Sequence, residues 1–202
     1  MYFPTKKTYF VEVPRTGSSF VMQFMSTLFP ARQPFTTIPA SRHCPRFMVT
    51  EHVEFSFGCV RNPYTWYPSF YAFVQEYCDG RANAWELGKW HPCRVLEDLD
   101  YSTFDKWMAD VVKWQPGFCT RLYELMLGPK SSKTVDSIMR FETLTEDLSE
   151  LLKSRWKRKV TAAAIERLPK VNATSQEIDS GRWKAVIHAM DVPTFDRFGY
   201  DK

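Results

Sequence analysis

The stretch from Thr8 to Leu28, TYFVEVPRTGSSFVMQFMSTL, limits what this chain can fold into more than any other. Tyr9, Phe10, Val11 and Val13 are aromatic or β-branched and suit a buried strand. Pro14 ends that strand, because it has no N–H to donate to a ladder. Arg15-Thr16-Gly17-Ser18-Ser19 follows as a small, hydroxyl-rich turn in which Gly17 is free to take positive φ. Phe20, Val21, Phe24, Met25 and Leu28 then recur at helical spacing. Strand, tight polar turn and helix aim backbone N–H groups and the positive end of a helix at one point, which favours an anion there. Ser18 and Ser19 add hydroxyl donors, and Arg15 adds a charged fork. The plainer reading of the same residues is a βα turn with Ser18 as the helix N-cap.

A chain of 202 residues suits one domain or a domain with a small subdomain, and 44% hydrophobic residues with 16% aromatics supply a packed core. The net charge of +4 permits an anionic ligand without the strong basic stripe of a general nucleic-acid binder. The five cysteines, Cys44, Cys59, Cys78, Cys93 and Cys119, are odd in number and form no CxxC. A disulfide framework or a zinc site is therefore not expected, and reduced thiols are. No secretory h-region and no apolar run of membrane-spanning length is present, so a cytoplasmic setting is expected. Asn172-Ala173-Thr174 fits a glycosylation sequon that such a setting would leave silent.

Residues 29–50, punctuated by Pro30, Pro34, Pro39 and Pro45, read as a surface connection carrying Arg42 and His43. Glu54 to Val60 is a second buried strand, running into Arg61-Asn62-Pro63 and a helix from Tyr64 to Tyr77, with Pro63 suited to its first turn. Residues 79–95 read as a long loop with Trp85, Trp90 and His91 as possible substrate contacts, or as tryptophans that pin the loop to the core. Tyr101 to Trp114 and Phe118 to Leu127 read as helices, Val135 to Phe141 as a third strand, and Leu144 to Lys153 as a helix capped by Thr143. The basic run Lys153 to Lys159 reads as a solvated face or an anionic-acceptor contact. Thr161 to Arg167 is a short helix stopped by Pro169. Alternating strands and helices predict an α/β domain with a parallel sheet.

Arg61 at a strand's carboxyl end stands where open α/β sheets bind ligands, and Ser69 follows two helical turns later. The bland alternatives are a salt bridge for Arg61 and a solvent-facing position for Ser69. A nucleotide with phosphates at both ends of its ribose would need two such sites. Here the chain resembles the sulfotransferases that use 3'-phosphoadenosine-5'-phosphosulfate, and most of all the branch containing carbohydrate sulfotransferases. PRTGSS (Pro14 to Ser19) resembles the family's 5'-phosphosulfate loop, and CVRNPYTWYPSFYAF (Cys59 to Phe73) its 3'-phosphate motif. IMRFETLTEDLSELL (Ile138 to Leu152), LPKVNATS (Leu168 to Ser175) and FDRFGYD (Phe195 to Asp201) resemble later segments, in family order. The loop lysine usual in this branch is Arg15 here. The segment between loop and second strand is short, and His43 stands about where some relatives carry a histidine base, with His52 as competitor.

The resemblance implies one P-loop-like domain over residues 1–202, a three-layer fold with a central parallel sheet flanked by helices. It implies a sulfuryl donor bound by Arg15, Thr16, Gly17, Ser18, Ser19, Arg61 and Ser69, and released as adenosine 3',5'-bisphosphate. Arg15 and His43 would be catalytic. The acceptor would be a hydroxyl or amine of a small molecule or saccharide. No metal, nucleic acid or membrane span is implied, and a microbial or viral origin fits. In-line sulfuryl transfer rests on positioning and charge stabilisation, with Ser18 and Ser19 at the 5'-phosphate, Arg61 and Ser69 at the 3'-phosphate, and His43 taking the acceptor proton. A P-loop kinase would share the strand–loop–helix but needs Gly-Lys-Ser/Thr, which this loop lacks. A non-catalytic nucleotide or polyanion module would keep both anion sites and need no base.

Overall fold

The computed structural model describes residues 1–39, 42–77, 89–131, 135–169 and 178–201. Cys78, Trp85 with residues 79–88 of the long loop, the sequon at Asn172 and most of LPKVNATS lie outside the described residues. The chain forms four strands, β1 (Tyr2–Phe3), β2 (Thr8–Val11), β3 (Phe55–Val60) and β4 (Ser137–Arg140). The helices of the described residues are α1 (Ser18–Leu28), α2 (Pro63–Tyr77), α3 (Phe104–Trp114), α4 (Phe118–Leu127), α5 (Leu144–Trp156), α6 (Ala162–Glu166) and α7 (Lys184–Phe198). The sheet runs β1-β2-β3-β4. β2, β3 and β4 are parallel, with Phe10 opposite Phe57 and Cys59 opposite Met139, and β1 pairs antiparallel with β2. The molecule is mixed α/β with a mostly parallel sheet. No described helix is long and apolar enough to cross a membrane.

Strand side chains alternate between faces, and the core divides accordingly. Phe10, Phe57, Cys59 and Met139 pack with α1, α5 and α6 through Val21, Met25, Leu148 and Ile165. Tyr9, Val11 and Val60 pack on the other side with α2, α3, α4 and α7, around Trp66, Phe70, Trp107 and Phe195. Gly58 lets α4 close on the sheet: a Cβ there would stand 2.4 Å from Leu127 Cδ2. Parallel pairing carries the ends of β2, β3 and β4 to one edge of the sheet, and each strand hands over there to a polar segment.

Several elements depart from the sequence expectation. β2 stops at Val11, because the Val13 N–H turns back to the Val11 carbonyl at 3.1 Å. Residues 29–50 are more than a surface connection. The Thr37 N–H donates to Met48 O at 2.9 Å and the Thr50 N–H to Phe35 O at 3.1 Å, while Phe29, Cys44, Met48 and Val49 are buried. α3 begins at Phe104 instead of Tyr101, capped by the Thr103 hydroxyl. Thr143 stands at the start of α5 but makes no side-chain cap, and its hydroxyl donates to Asp147 instead. Pro68 lies inside α2, where it cannot donate to the carbonyl four residues back. That carbonyl, of Tyr64, accepts the Ser180 hydroxyl at 3.1 Å.

Candidate functional site

The turn after β2 is held in an unusual backbone shape. Arg15 has φ +63° and Gly17 φ +77°, both left-handed, and Gly17, not Ser18, is the N-cap of α1. A side chain at Gly17 has no room either, since a Cβ would meet Leu144 Cδ2 at 2.8 Å. The α1 N-cap makes no side-chain hydrogen bond, so the helix start has no capping side chain over its first N–H groups. The turn is braced from outside: the Trp66 indole N–H donates to Pro14 O at 2.9 Å. Thr16 is fully buried and its hydroxyl donates to Val13 O at 2.9 Å, so any ligand contact there falls to its backbone.

Arg15, Arg61 and Ser69 come together at this edge. Arg15 Nε and Nη2 donate to Ser69 Oγ at 3.2 and 3.1 Å, and the guanidinium lies 4.8 Å from the centre of the Phe73 ring. Arg61 Nη1 reaches Arg15 O at 3.4 Å, its Nε donates to Thr65 Oγ1 at 3.0 Å, and its guanidinium lies 4.3 Å over Phe141. Neither bland alternative describes these two residues: Ser69 is buried, and no described carboxylate is in ion-pair distance of Arg61. The segment after β3 is pinned twice. The Arg61 N–H donates to Tyr123 OH at 3.0 Å, and the Asn62 N–H donates to Glu142 Oε1 at 2.8 Å. Asn62 caps α2 by accepting from the Tyr64 N–H at 2.9 Å.

A second cluster lies beside Ser19. Arg42 Nη2 donates to Ser19 Oγ at 2.7 Å, and its Nε is 3.1 Å from the fully buried carboxylate of Glu12. His43 Nδ1 is 2.6 Å from the carbonyl of the same Glu12, and the His91 ring meets the His43 ring edge-on with centroids 5.1 Å apart. Burial, then the Arg42 guanidinium, push the pKa of half-buried His43 from 6.5 down to about 3. Burial and His43 push that of His91 down to about 2. His43 thus lacks the near-neutral pKa that its expected role as base suits. His52 is elsewhere. It precedes β3, its side chain is 74% exposed, and it stands 3.5 Å from Glu54, at the opposite edge of the sheet from Arg61. It stays exposed because its backbone has not yet entered the strand, which begins at Phe55. The basic run after Leu152 also lies at that far edge, where Arg155 stacks over Phe55 and Arg158 over Phe29.

Glu12, Phe141, Glu142 and Tyr123 escaped the sequence reading. Glu12 carried a signal, a carboxylate inside an apolar strand run. Phe141 and Glu142 follow the third parallel strand, the position where α/β sheets present ligand contacts. Tyr123 sits on the buried face of α4 and carried none. A groove of about 560 Å3 flanks edge strand β4, lined by Ile138, Arg140, Glu150 and Arg197 among others, and includes no residue of either cluster. Among the described residues no three His, Cys, Asp or Glu are grouped to hold a metal ion. Compared with protein-family models, curated proteins and solved structures, the chain matches none of them.

Proposed function

We propose that the protein moves a sulfuryl group from 3'-phosphoadenosine-5'-phosphosulfate to a small-molecule or saccharide acceptor on a P-loop-like scaffold. The observation that carries this reading is the Arg15–Ser69–Arg61 cluster at the ends of two adjacent parallel strands, beside the start of α1. Two arginines and a buried hydroxyl after successive strands suit a ligand with anionic groups at both ends. The donor, when bound, supplies a sulfuryl group on a bisphosphate leaving group. Arg15, Ser18, Ser19 and the first N–H groups of α1 hold its 5' end, and Arg61 with Ser69 holds the 3'-phosphate. Arg15 and the helix start offset negative charge as it develops. Ser69 Oγ accepts two N–H groups of Arg15, and its O–H is the group that donates to the 3'-phosphate.

His43 takes the acceptor proton at Nε2, while its Nδ1–H is held by Glu12 O. The charges of Arg42 and Arg15 help to lower its pKa, and an anion beside them offsets both, so the imidazole gains basicity once the donor is in place. That low pKa is also the one observation favouring a non-catalytic anion-binding module. Calorimetry separates the nucleotide reading from its absence. Adenosine 3',5'-bisphosphate binds at least about tenfold more tightly than 5'-AMP, since a charged hydrogen bond contributes on the order of 1.5–3 kcal/mol. Equal affinities overturn the two-site reading. Bisphosphate release from the sulfuryl donor in an acceptor screen separates the enzyme from the module.

A further inference from the structure

β4 (Ser137–Arg140) ends the sheet. Parallel pairing with β3 occupies one side of its backbone, and among the described residues no strand pairs with the other. The N–H and C=O groups along an open edge are a template for another extended backbone. The groove of about 560 Å3 runs along this strand, between α5 and the C-terminal end of α7. All four residues of β4 line it and no residue of β3 does, so it lies on the open side. The Arg140 N–H already has a partner, Asp147 Oδ2 at 2.8 Å. The two walls of the groove differ in charge. Met139 packs in the core that α5 covers through Leu151, while Ile138, the residue before it, packs against the core that α7 covers. The walls therefore lie on opposite faces of the sheet. The α5 wall carries Asp147 and Glu150 and no cation. The other carries Arg197 of α7 and Arg140, which shares the face of Ile138 by strand alternation. Arg197 stays charged while its Nη1 donates to Gly128 O at 2.6 Å. Glu150 meets Lys153 at 3.8 Å with both side chains largely exposed, a pair of little energy.

We propose that the β4 edge takes an extended peptide segment of a partner protein as a fifth strand, and that this segment alternates basic and acidic residues. In a strand, successive side chains point to opposite faces. One parity of the added strand then meets Asp147 and Glu150, and the other meets Arg140 and Arg197. Basic residues suit the first and acidic residues the second. Backbone pairing supplies the attachment, and the charges set the register, because a slip by one residue turns every cation towards the arginines. A segment with both signs on one parity sets half of its charges against their like, whichever wall they face. A second copy of β4 fits less well. About a two-fold axis normal to the sheet, its own Arg140 falls on the side of Arg140 and Arg197.

A pair of synthetic peptides made of the same lysines, glutamates and threonines tests this on the full chain. In one, lysine and glutamate fall on opposite parities of a strand. In the other, both fall on one parity, and threonine fills the remaining positions. Amide hydrogen exchange at Ser137, Ile138 and Met139 slows with the first peptide, which binds roughly fivefold more tightly than the second. High salt narrows the gap. Glu150→Lys changes an exposed side chain and leaves the fold intact, and the preference falls towards one. Equal affinities, a preference indifferent to Glu150→Lys, or protection confined to amides away from β4 overturns the proposal. So does unchanged exchange at β4 with either peptide at the highest soluble concentration. Self-association of the protein alone, with β4 protected, gives the edge to a second copy and overturns it too.

Discussion

His43 and His91 enter the folded protein with pKa values of about 3 and about 2, well under the ordinary 6.5. Unfolding releases them to that ordinary value. Between about pH 6.5 and about pH 3 the unfolded chain binds protons that the folded chain refuses, so stability is full above this window and falls as pH drops through it. Denaturant midpoints measured near pH 7 and near pH 5 therefore separate in the native protein. They separate less in a His43→Gln, His91→Gln double variant, and an equal separation would show that neither ring is held neutral. At this scale the placement of Arg15, Gly17, Arg61 and Ser69 at one end of the sheet was legible, because they sit at fixed offsets from strand ends that local pattern reveals. Glu12 was not. Its carboxylate is explained by Arg42, thirty residues on, at 3.1 Å, and by the Met1 amino group at 3.3 Å.

β2, β3, β4 and the helices α1 to α6 follow from apolar runs and turn residues, with α4 matched at both ends and the other boundaries off by at most three positions. α7 was missed for a physical reason. Asp191 sits fully buried within it at non-helical φ/ψ, and Pro193 follows, so its apolar residues do not trace one face. β1 has two residues, too few for any period to show. At Gly58 of β3 a Cβ would stand 2.4 Å from Leu127 Cδ2 of α4. Gly58→Ala forces the buried Leu127 side chain aside and costs about 1–3 kcal/mol. Leu127→Ala removes the obstacle, so the two substitutions together cost less than the sum of each alone. Urea unfolding of the double-mutant cycle checks this, and strict additivity would show that the helix yields freely instead.

Across the whole molecule, one buried carboxylate ties three helices together. Asp191 of α7 accepts from Tyr67 OH of α2 at 2.8 Å, and from both the N–H and the hydroxyl of Thr120 in α4, each at 2.8 Å. Asp191→Ala strands the Tyr67 hydroxyl and the Thr120 N–H, while the Thr120 hydroxyl keeps Thr194 Oγ1 at 2.8 Å; it costs on the order of 3 kcal/mol, and Asp191→Asn, which keeps an acceptor, costs less. Thermal unfolding ranks the variants, and an Ala protein as stable as the native one would make the contact incidental. The parallel sheet sets a further condition, one of time instead of space. Asn62 meets Glu142 only across 80 residues of chain, and β4 joins β3 over the same distance. Non-local parallel pairing is slow to form. A chain emerging from the ribosome therefore holds its first arginine loop long before the segment that braces the second exists. The Arg15–Ser69–Arg61 cluster is braced only when β4 docks, so under the proposed function affinity for an anion is a late event in folding and reports that the sheet has closed.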